Sequence, residues 1–405
     1  MDLLRKIKII INCKLDFKIL KKKNNLIYDI YSAEELKDYF DKTTTEFLDT
    51  RYAKINVYVF IKSFLEKLFF KELTLSQIYI LNYIKSVDPR YVITYQDQNF
   101  FFFTLKKYFP ETKFIIIQAS IIFPGYFWSL YHLNKMNIKE KYKIDFFFVF
   151  GESFQRLFSK YFDSEFIIIG SFRNNLVNFQ KNKSKDLVFI SGFKSILRKK
   201  IILLQNGGSI TGENYYYKSD QMILKFLLIY CKKKKINLKI LLRSTDRNHL
   251  ELSKEKNFFS ESLEKNQDIQ FIHKKNRYSV YKLINKFNYF VTQDSTLGYE
   301  ILSKRKRVGF INIREKFAKI LSSGKHSFGW PNSYPENKFF WTSSLNYKKM
   351  AKCLDFIYTC EDKLWKKKVR HFGNPIIIFN SGNKVFRKKM QKIGVNLVPV
   401  KNNNL

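Results

Sequence analysis

The residues best suited to chemistry lie late in the chain, in a polar turn between two apolar runs. The turn contains Asp294, Ser295 and Thr296, and Glu300 lies one turn into the helix-like segment that follows. The first apolar run, the turn, the helix-like segment and the second apolar run together form a βαβ unit. Asp294 or Ser295 is suited to cap its helix. The free N–H groups and the dipole of a helix start favour an anion, so Ser295 and Thr296 predict a nucleotide-phosphate site. A well-capped helix that binds nothing explains the same pattern equally well.

The elements that must position this turn alternate between strand and helix. In the first half, a capping box at Ser32 and Glu35 opens one of the helices. Apolar runs in that half lie at 7–12, 26–30, 91–95, 113–118, 145–150 and 166–170. In the second half they lie at 187–191, 201–204, 238–242, 269–272, 289–292 and 308–313. Such continuous runs are typical of parallel strands in a sheet that helices cover on both faces.

A polar, lysine-containing stretch at 178–186 separates the two series and indicates an interdomain linker. We therefore predict an α/β fold of two Rossmann-like, doubly wound domains that face a cleft. The N-terminal domain is predicted at 1–177 and the C-terminal domain at 187–345. Residues 346–405 are predicted to form a helical tail that braces the N-terminal domain.

Basic residues exceed acidic ones, with 74 Lys and Arg against 35 Asp and Glu and a net charge of +39. Such a charge is common in proteins that bind nucleic acid. Here, however, the basic residues are spread along the whole chain and Lys outnumbers Arg, as A/T-rich codons would produce. We therefore expect no specific nucleic acid as a partner. The excess of Lys would still attract an anionic membrane surface, at about 1 kcal/mol per well-placed residue.

No segment of the sequence is expected to span a bilayer. The most apolar run, 114–123, has about half of the ~20 residues that a spanning helix needs. The apolar stretch at 7–12 is too short for a signal peptide. The four cysteines show no paired metal spacing; they are Cys13, Cys231, Cys353 and Cys360. These features predict a cytoplasmic protein without zinc or disulfides.

Three short motifs resemble those of glycosyltransferase-like enzymes. Ile168-Ile-Gly170-Ser-Phe-Arg173-Asn-Asn175 is similar to the Gly-Tyr-Pro-Arg-Asn-Asp element of the glycerophosphotransferases that build teichoic acids. The turn at 294–296, with Glu300 after it, resembles their Thr-Asp-Tyr-Ser-Ser turn and the acidic residue that follows. Ile240-Leu-Leu-Arg243 resembles a strand end shared with capsule-type Kdo transferases. The whole pattern resembles surface-carbohydrate biosynthesis proteins with the two-domain GT-B fold.

The sequence also departs from that pattern. The glycerophosphotransferases carry a His-Gly pair after a strand of the first domain, whereas the matching strand here ends Ile117-Gln118-Ala-Ser120. Arg243 is followed by Ser-Thr-Asp246 instead of Pro-His. Either a carboxylate of the first domain replaces the missing base, or activity is weakened or lost.

The resemblance implies a nucleotide-donor role for the C-terminal domain. Ser295 and Thr296 would bind the donor phosphate beside Asp294, and Arg243 would supply positive charge. Glu300 would accept a hydrogen bond from a ribose or donor-sugar hydroxyl, unless it is a surface helix residue. Arg173 would line the cleft, unless it pairs with a carboxylate at the domain junction.

A base is needed to deprotonate the acceptor hydroxyl, and the N-terminal domain is expected to hold the acceptor. Asp97 and Glu152 both follow predicted strands, at the edge where α/β proteins place their sites. Asp97 is the better candidate because polar residues surround it in sequence, although a helix cap explains it as well. No metal site is expected, and the predicted cofactor is none.

These features predict a metal-independent transferase of bacterial surface-polysaccharide biosynthesis, in lipopolysaccharide or capsule. It would move a sugar or polyol phosphate from a nucleotide-sugar or CDP-polyol donor to a glycan or lipid-linked acceptor. It would work in the cytoplasm, peripherally at the inner face of the plasma membrane. The alternatives are a catalytically silent GT-B scaffold in polysaccharide assembly and, less favoured, a basic nucleic-acid-binding protein.

Overall fold

The computed structural model describes residues 13–51, 54–121, 141–178, 180, 182, 184–195, 201–203, 209–246, 248–263, 269–276, 278–314 and 328–399. Within these ranges the chain forms two separate large sheets, which confirms the predicted class of two α/β domains with parallel sheets. The strand predicted at 7–12 lies outside the described residues.

The first sheet is entirely parallel and has six strands in the order β3-β2-β5-β6-β7-β8. The elements of this half are β1 (Lys14–Asp16), β2 (Asn25–Tyr28), α1 (Ile30–Leu36), β3 (Thr45–Leu48), β4 (Lys54–Asn56), α2 (Val57–Lys67), α3 (Leu75–Val87), β5 (Tyr91–Thr94), α4 (Phe100–Thr104), β6 (Lys113–Ile117), β7 (Tyr142–Val149), α5 (Glu152–Phe158) and β8 (Phe162–Ile168). The short strands β1 and β4 pair with each other.

The second sheet has seven strands in the order β13-β12-β9-β14-β15-β17-β16, and β16 alone runs antiparallel to its neighbour. The elements of this half are β9 (Leu187–Ile190), β10 (Ile201–Leu203), β11 (Ser209–Thr211), α6 (Lys218–Lys234), β12 (Leu238–Thr245), α7 (His249–Glu261), β13 (Gln270–Lys274), α8 (Ser279–Leu283), β14 (Tyr289–Thr292), α9 (Thr296–Ser303), β15 (Arg307–Ile311), β16 (Asn337–Lys338), β17 (Trp341–Thr342), α10 (Tyr347–Thr359), α11 (Asp362–Lys368) and α12 (Lys384–Lys392).

The central strands are apolar along their whole length because both faces of each sheet are covered. In the first sheet, Ile27 and Ile93 pack into the core on one face, together with residues of α1 and α12. Their neighbours Leu26 and Val92 point to the other face and join the larger core. Successive strand residues alternate between faces, so both alternating sets must be apolar here.

The predicted capping box at Ser32 and Glu35 is wrong. Helix α1 begins at Ile30, so both residues lie inside the helix, and both are buried. The Ser32 hydroxyl accepts the Tyr95 N–H at 2.6 Å and thereby fixes the helix to the end of β5. The spacing alone does not identify a helix start, because a Ser three residues before a Glu can equally face the protein core.

The chain returns to the first sheet at its C-terminus. Helix α10 packs beside β15 of the second sheet, whereas α12 packs on the first sheet. The Phe386 ring of α12 contacts the rings of Phe148 and Phe172 with centroids 5.0 Å away in each case. Beyond α12, the Val398 N–H donates to the Tyr39 carbonyl at 2.9 Å. The domain limits at 177, 187 and 345 stay a prediction.

We expect Phe386→Ala to destabilise the protein by about 3–5 kcal/mol, because it leaves a cavity in a closed aromatic core. The neighbouring Val385 is 38% exposed, so Val385→Ala should change the free energy of unfolding by roughly 0.5 kcal/mol. Urea unfolding of both variants measures the difference. Equal effects would contradict the assigned packing of α12.

Candidate functional site

A cleft of about 610 Å³ lies where strands of both sheets end. From the first half, it is lined by Gln98, which follows β5, and by Ser120 and Ile121, which follow β6. From the second half, the ends of β9, β12 and β14 and the start of α9 contribute. Carboxyl ends of parallel strands are the usual site position in α/β proteins, so the topology itself selects this cleft.

The predicted turn opens into this cleft. The Ser295 hydroxyl caps α9 by accepting the Leu297 N–H at 3.2 Å, so Ser295 and not Asp294 is the capping residue. The Thr296 hydroxyl accepts the Ile121 N–H at 3.1 Å. This last bond joins the two sides of the cleft at the start of α9. Both hydroxyls of the predicted phosphate site therefore line the cleft, and each already has one protein partner.

Arg314 is a cleft residue that the sequence analysis missed. Its buried guanidinium bonds to the carboxylate of Asp294, lies 3.4 Å from Asp220 and sits 4.7 Å from the centre of the Tyr216 ring. A side chain at Gly192 would place its Cβ 2.7 Å from Arg314 Nη2, so a larger residue there would require the guanidinium to shift. The available signal was that Arg314 follows β15, just as Asp294 follows β14.

The cleft carries more positive than negative charge. Four basic side chains line it, Lys194, Arg243, Lys274 and Arg314, against the two carboxylates Asp220 and Asp294. Burial raises the pKa of Asp220 to about 6, against the opposing effect of the Arg314 charge. Burial, together with the nearby Arg243 charge, lowers the pKa of Lys194 to about 8. The excess of cations favours an anionic ligand such as a phosphate.

Arg243 lines the cleft as predicted, but β12 continues past it to Thr245. Its backbone N–H donates to Glu255 Oε1 at 2.8 Å, and the Ser244 N–H donates to Glu255 Oε2 at 2.8 Å. The Arg243 Nη1 donates to the Phe193 carbonyl at 3.1 Å. The buried Glu255 carboxylate thus fixes the strand that carries Arg243, a positioning role that its sequence context did not reveal.

Asp97 lies behind the wall of the cleft. It is 2% exposed and does not line the cavity, whereas its neighbour Gln98 does. Its carboxylate accepts the Ala119 N–H at 3.1 Å, and Asn99, not Asp97, caps α4. Burial raises the pKa of Asp97 to about 7 despite the backbone hydrogen bonds, which lower it. A carboxyl that titrates near neutrality has the proton affinity that a general base needs.

Besides Asp97, three further predicted site residues do not line the cleft. Glu152 is mostly exposed and lies 3.6 Å from Arg156 on the same helix. Glu300 is buried, and both of its carboxylate oxygens accept from the Tyr281 hydroxyl at 3.0 Å. Arg173 pairs with Glu35 at 2.6 Å. For Glu300 and Arg173 these contacts correct the expected direct contact with a donor, because their polar groups are directed to protein partners.

No group of His, Cys, Asp or Glu in the described part of the chain could hold a metal ion. His326 lies outside that part. Likewise, no helix among the described residues is long and apolar enough to cross a bilayer.

Comparison of sequences shows which family the chain comes from. Residues 127–393 match a family described as "putative O-antigen biosynthesis protein". The chain belongs to this family. The predicted relation to surface-carbohydrate biosynthesis proteins is therefore confirmed. No curated protein matches the sequence significantly.

Solved structures extend the comparison over nearly the whole chain. S. aureus MnaA, solved with UDP, aligns over 94% of this chain and 98% of its own, with 12% identity and a TM-score of 0.51. Anabaena Alr3699/HepE, solved with UDP and glucose, aligns over 92% and 99%, with 9% identity and a TM-score of 0.50. The wall teichoic acid polymerase TagF aligns over 92% and 90%, with 10% identity and a TM-score of 0.47. At these identities the first two similarities concern the fold, which is GT-B-like as predicted.

The Asp97 carboxyl should make the stability of the folded protein depend on pH. Its pKa is raised from an ordinary value near 4 to about 7 on folding, so its contribution to stability is present below pH ~4 and is lost as the pH rises through about 7. We expect Asp97→Asn to gain stability relative to the wild type as the pH increases from 5 to 8. Urea unfolding across this pH range measures the difference in stability. Asp163→Asn, at an exposed position, serves as the control. Parallel stability curves for Asp97→Asn and the wild type would contradict the assigned environment.

Proposed function

We propose that the protein is a transferase that moves a sugar or polyol phosphate from a nucleotide-activated donor to a precursor of a bacterial surface polysaccharide. The observation that carries this proposal is the cleft, in which basic side chains surround a helix start between two sheets. A nucleotide diphosphate is the ligand class that fits such a site. The UDP in the MnaA and HepE structures supports that class.

In this proposal the donor phosphates bind at the start of α9. Backbone N–H groups there and the hydroxyls of Ser295 and Thr296 contact phosphate oxygens, while Arg243 and Lys194 supply positive charge. Arg314 contributes less net charge because Asp294 and Asp220 already neutralise it. Its role is to hold Asp294, and with it the turn, in place.

Transfer then joins the acceptor to the donor. The acceptor oxygen forms a bond to the sugar carbon or to the phosphorus of the polyol phosphate, and the bond from that centre to the departing phosphate oxygen breaks. The hydroxyl proton passes to the first domain, where Asp97 is the proposed base. Because Asp97 lies behind the cleft wall, a water or the Ser120 hydroxyl carries the proton to it. The leaving phosphate is stabilised by the basic side chains, without a metal ion.

A glycan or lipid-linked molecule is the proposed acceptor, and the inner face of the plasma membrane is the proposed place of work. The excess of Lys suits an anionic membrane surface. A specific nucleic acid is not part of the proposal.

A catalytically silent scaffold is the second candidate. The Thr296 hydroxyl already accepts the Ile121 N–H, and the Arg314 charge is paired with Asp294. Fewer polar groups of the cleft are therefore available to bind a donor. Thermal-shift measurements with CMP, CDP, UDP, GDP and their sugars, followed by an assay of donor hydrolysis, separate the two functions. Nucleotide binding without turnover identifies the scaffold, whereas absence of any nucleotide binding rules out the transferase.

Removal of Arg243 should weaken nucleotide binding strongly. Arg243→Ala removes a charge-assisted contact worth roughly 1.5–3 kcal/mol, a loss of about ten- to a hundredfold, while Ser295→Ala should cost nearer 1 kcal/mol since the backbone donors remain. Arg305→Ala serves as the control because this exposed residue lies outside the cleft. Calorimetric titration of the nucleotide found by thermal shift provides the affinities. Unchanged affinity in Arg243→Ala would remove Arg243 from the phosphate site.

Substitution of the proposed base should reduce turnover and leave nucleotide binding unchanged. Asp97→Asn is expected to leave nucleotide affinity within about twofold and to abolish transfer, because a base acts on the acceptor and not on the donor. Single-turnover assays beside the same titration measure both quantities. Full activity in Asp97→Asn would exclude Asp97 as the base.

A further inference from the structure

Helix α2 and the turn after it expose an unusual number of large apolar side chains. Six of them within residues 61–70 are more than half exposed, and Phe69 reaches 81%; they are Ile61, Phe64, Leu65, Leu68, Phe69 and Phe70. Single exposed apolar residues are common, but a contiguous apolar group of this size marks a surface that binds something. We call residues 58–71 the α2 surface.

The fold of this region does not need these side chains. Helix α2 is attached to α3 through its opposite side, where Val59 and Ser63 are buried. The Asn82 amide of α3 donates to the Ser63 hydroxyl at 3.2 Å and to the Glu66 carboxylate at 2.7 Å. The helix therefore exposes large apolar side chains on the side that an ordinary surface helix keeps polar.

The turn that ends α2 is held in a defined shape. Lys67 Nζ donates to the carbonyls of Phe70 and Lys71, at 3.1 Å each. The three apolar residues 68–70 are thereby presented together at the end of the helix. Strand β4 leads directly into α2, and its partner β1 and the residues after it add the exposed side chains of Leu15, Phe17 and Ile19.

The charged residues of the α2 surface indicate which class of partner it binds. Lys62, Lys67 and Lys71 alternate with the apolar residues, while Glu66 is already bonded to Asn82. Cores of protein–protein interfaces are depleted in Lys, whereas interfacial membrane helices combine Lys with Phe and Leu. A second copy of this chain is disfavoured because each copy carries a net charge of +39.

We propose that the α2 surface docks the N-terminal domain on an anionic lipid bilayer. The apolar side chains of Leu68, Phe69 and Phe70 enter the headgroup boundary, and the neighbouring lysines contact lipid phosphates. This inference deepens the proposed function and rests on it for the claim that docking brings a lipid-linked acceptor to the cleft. Lipid binding itself requires no donor and no turnover.

Vesicle sedimentation of the full chain tests the proposal, with phosphatidylcholine vesicles that contain or lack phosphatidylglycerol. The wild type should bind the anionic vesicles and bind the neutral ones at least tenfold more weakly. The double variant Phe69→Ser/Phe70→Ser should lose about tenfold or more in binding to the anionic vesicles. The matched control Ile229→Ser/Leu250→Ser removes two apolar side chains that are also more than half exposed, from α6 and α7, and should bind as the wild type does.

The lysines are tested separately by Lys62→Gln/Lys71→Gln, which should lose roughly tenfold on anionic vesicles and nothing on neutral ones. Absence of wild-type binding, or equal loss in the control and in Phe69→Ser/Phe70→Ser, would overturn the proposal. Lipid-independent self-association that Phe69→Ser/Phe70→Ser abolishes would instead assign the surface to a second copy. Nucleotide titration of the same variants, which should be unchanged, keeps failure of the docking surface distinguishable from failure of the donor site.

Discussion

The buried carboxylate of Glu300 is the contact on which the geometry of the cleft depends. Glu300 belongs to α9, whose start carries Ser295 and Thr296, and it accepts from the hydroxyl of Ser171 in the first half of the chain. The Asn174 amide donates to the Glu300 carbonyl at 3.0 Å, so side chain and backbone of one residue are both held. A buried, fully engaged carboxylate tolerates little displacement, because breaking one bond leaves a charged atom unsatisfied. Glu300 therefore acts as a positioning residue for the helix that opens into the cleft.

The segment 170–175 connects three parts of the fold at this point. Gly170 has a φ of 72° and passes so close to the Ile378 carbonyl that a Cβ would lie 2.0 Å from it. Asn175 donates to the Ile169 carbonyl and to the Asn383 side chain, at 2.8 Å each. The first sheet, helix α9 and the C-terminal segment thus meet around the six residues 170–175. The glycine and the two Asn amides of this segment therefore hold these three parts of the chain together.

What the sequence predicted well is local. The βαβ unit around Thr296 followed from apolar runs and a capping hydroxyl, because strand, turn and helix preferences act over a few residues. What the sequence did not predict depends on contacts between residues that are far apart in the chain. Arg314 lies near Asp220, 94 positions away in sequence, and Glu300 accepts from Ser171, 129 positions away, instead of lining the cleft. Ser32 was assigned to a helix start because sequence alone does not show which residues face the core. Single-sequence patterns specify the elements here, and the tertiary contacts specify which polar residues meet.

The return of the chain to the first sheet bears on how the protein is made. Phe386 and Met390 of α12 belong to the same core as Ile27 and Ile93, although more than half of the chain separates them in sequence. During synthesis, the N-terminal half leaves the ribosome long before these residues exist, while domains commonly begin to fold as they emerge. The part of the sheet face that α12 covers must therefore stay open, with aromatic side chains in contact with solvent or a chaperone, until α12 has been synthesised.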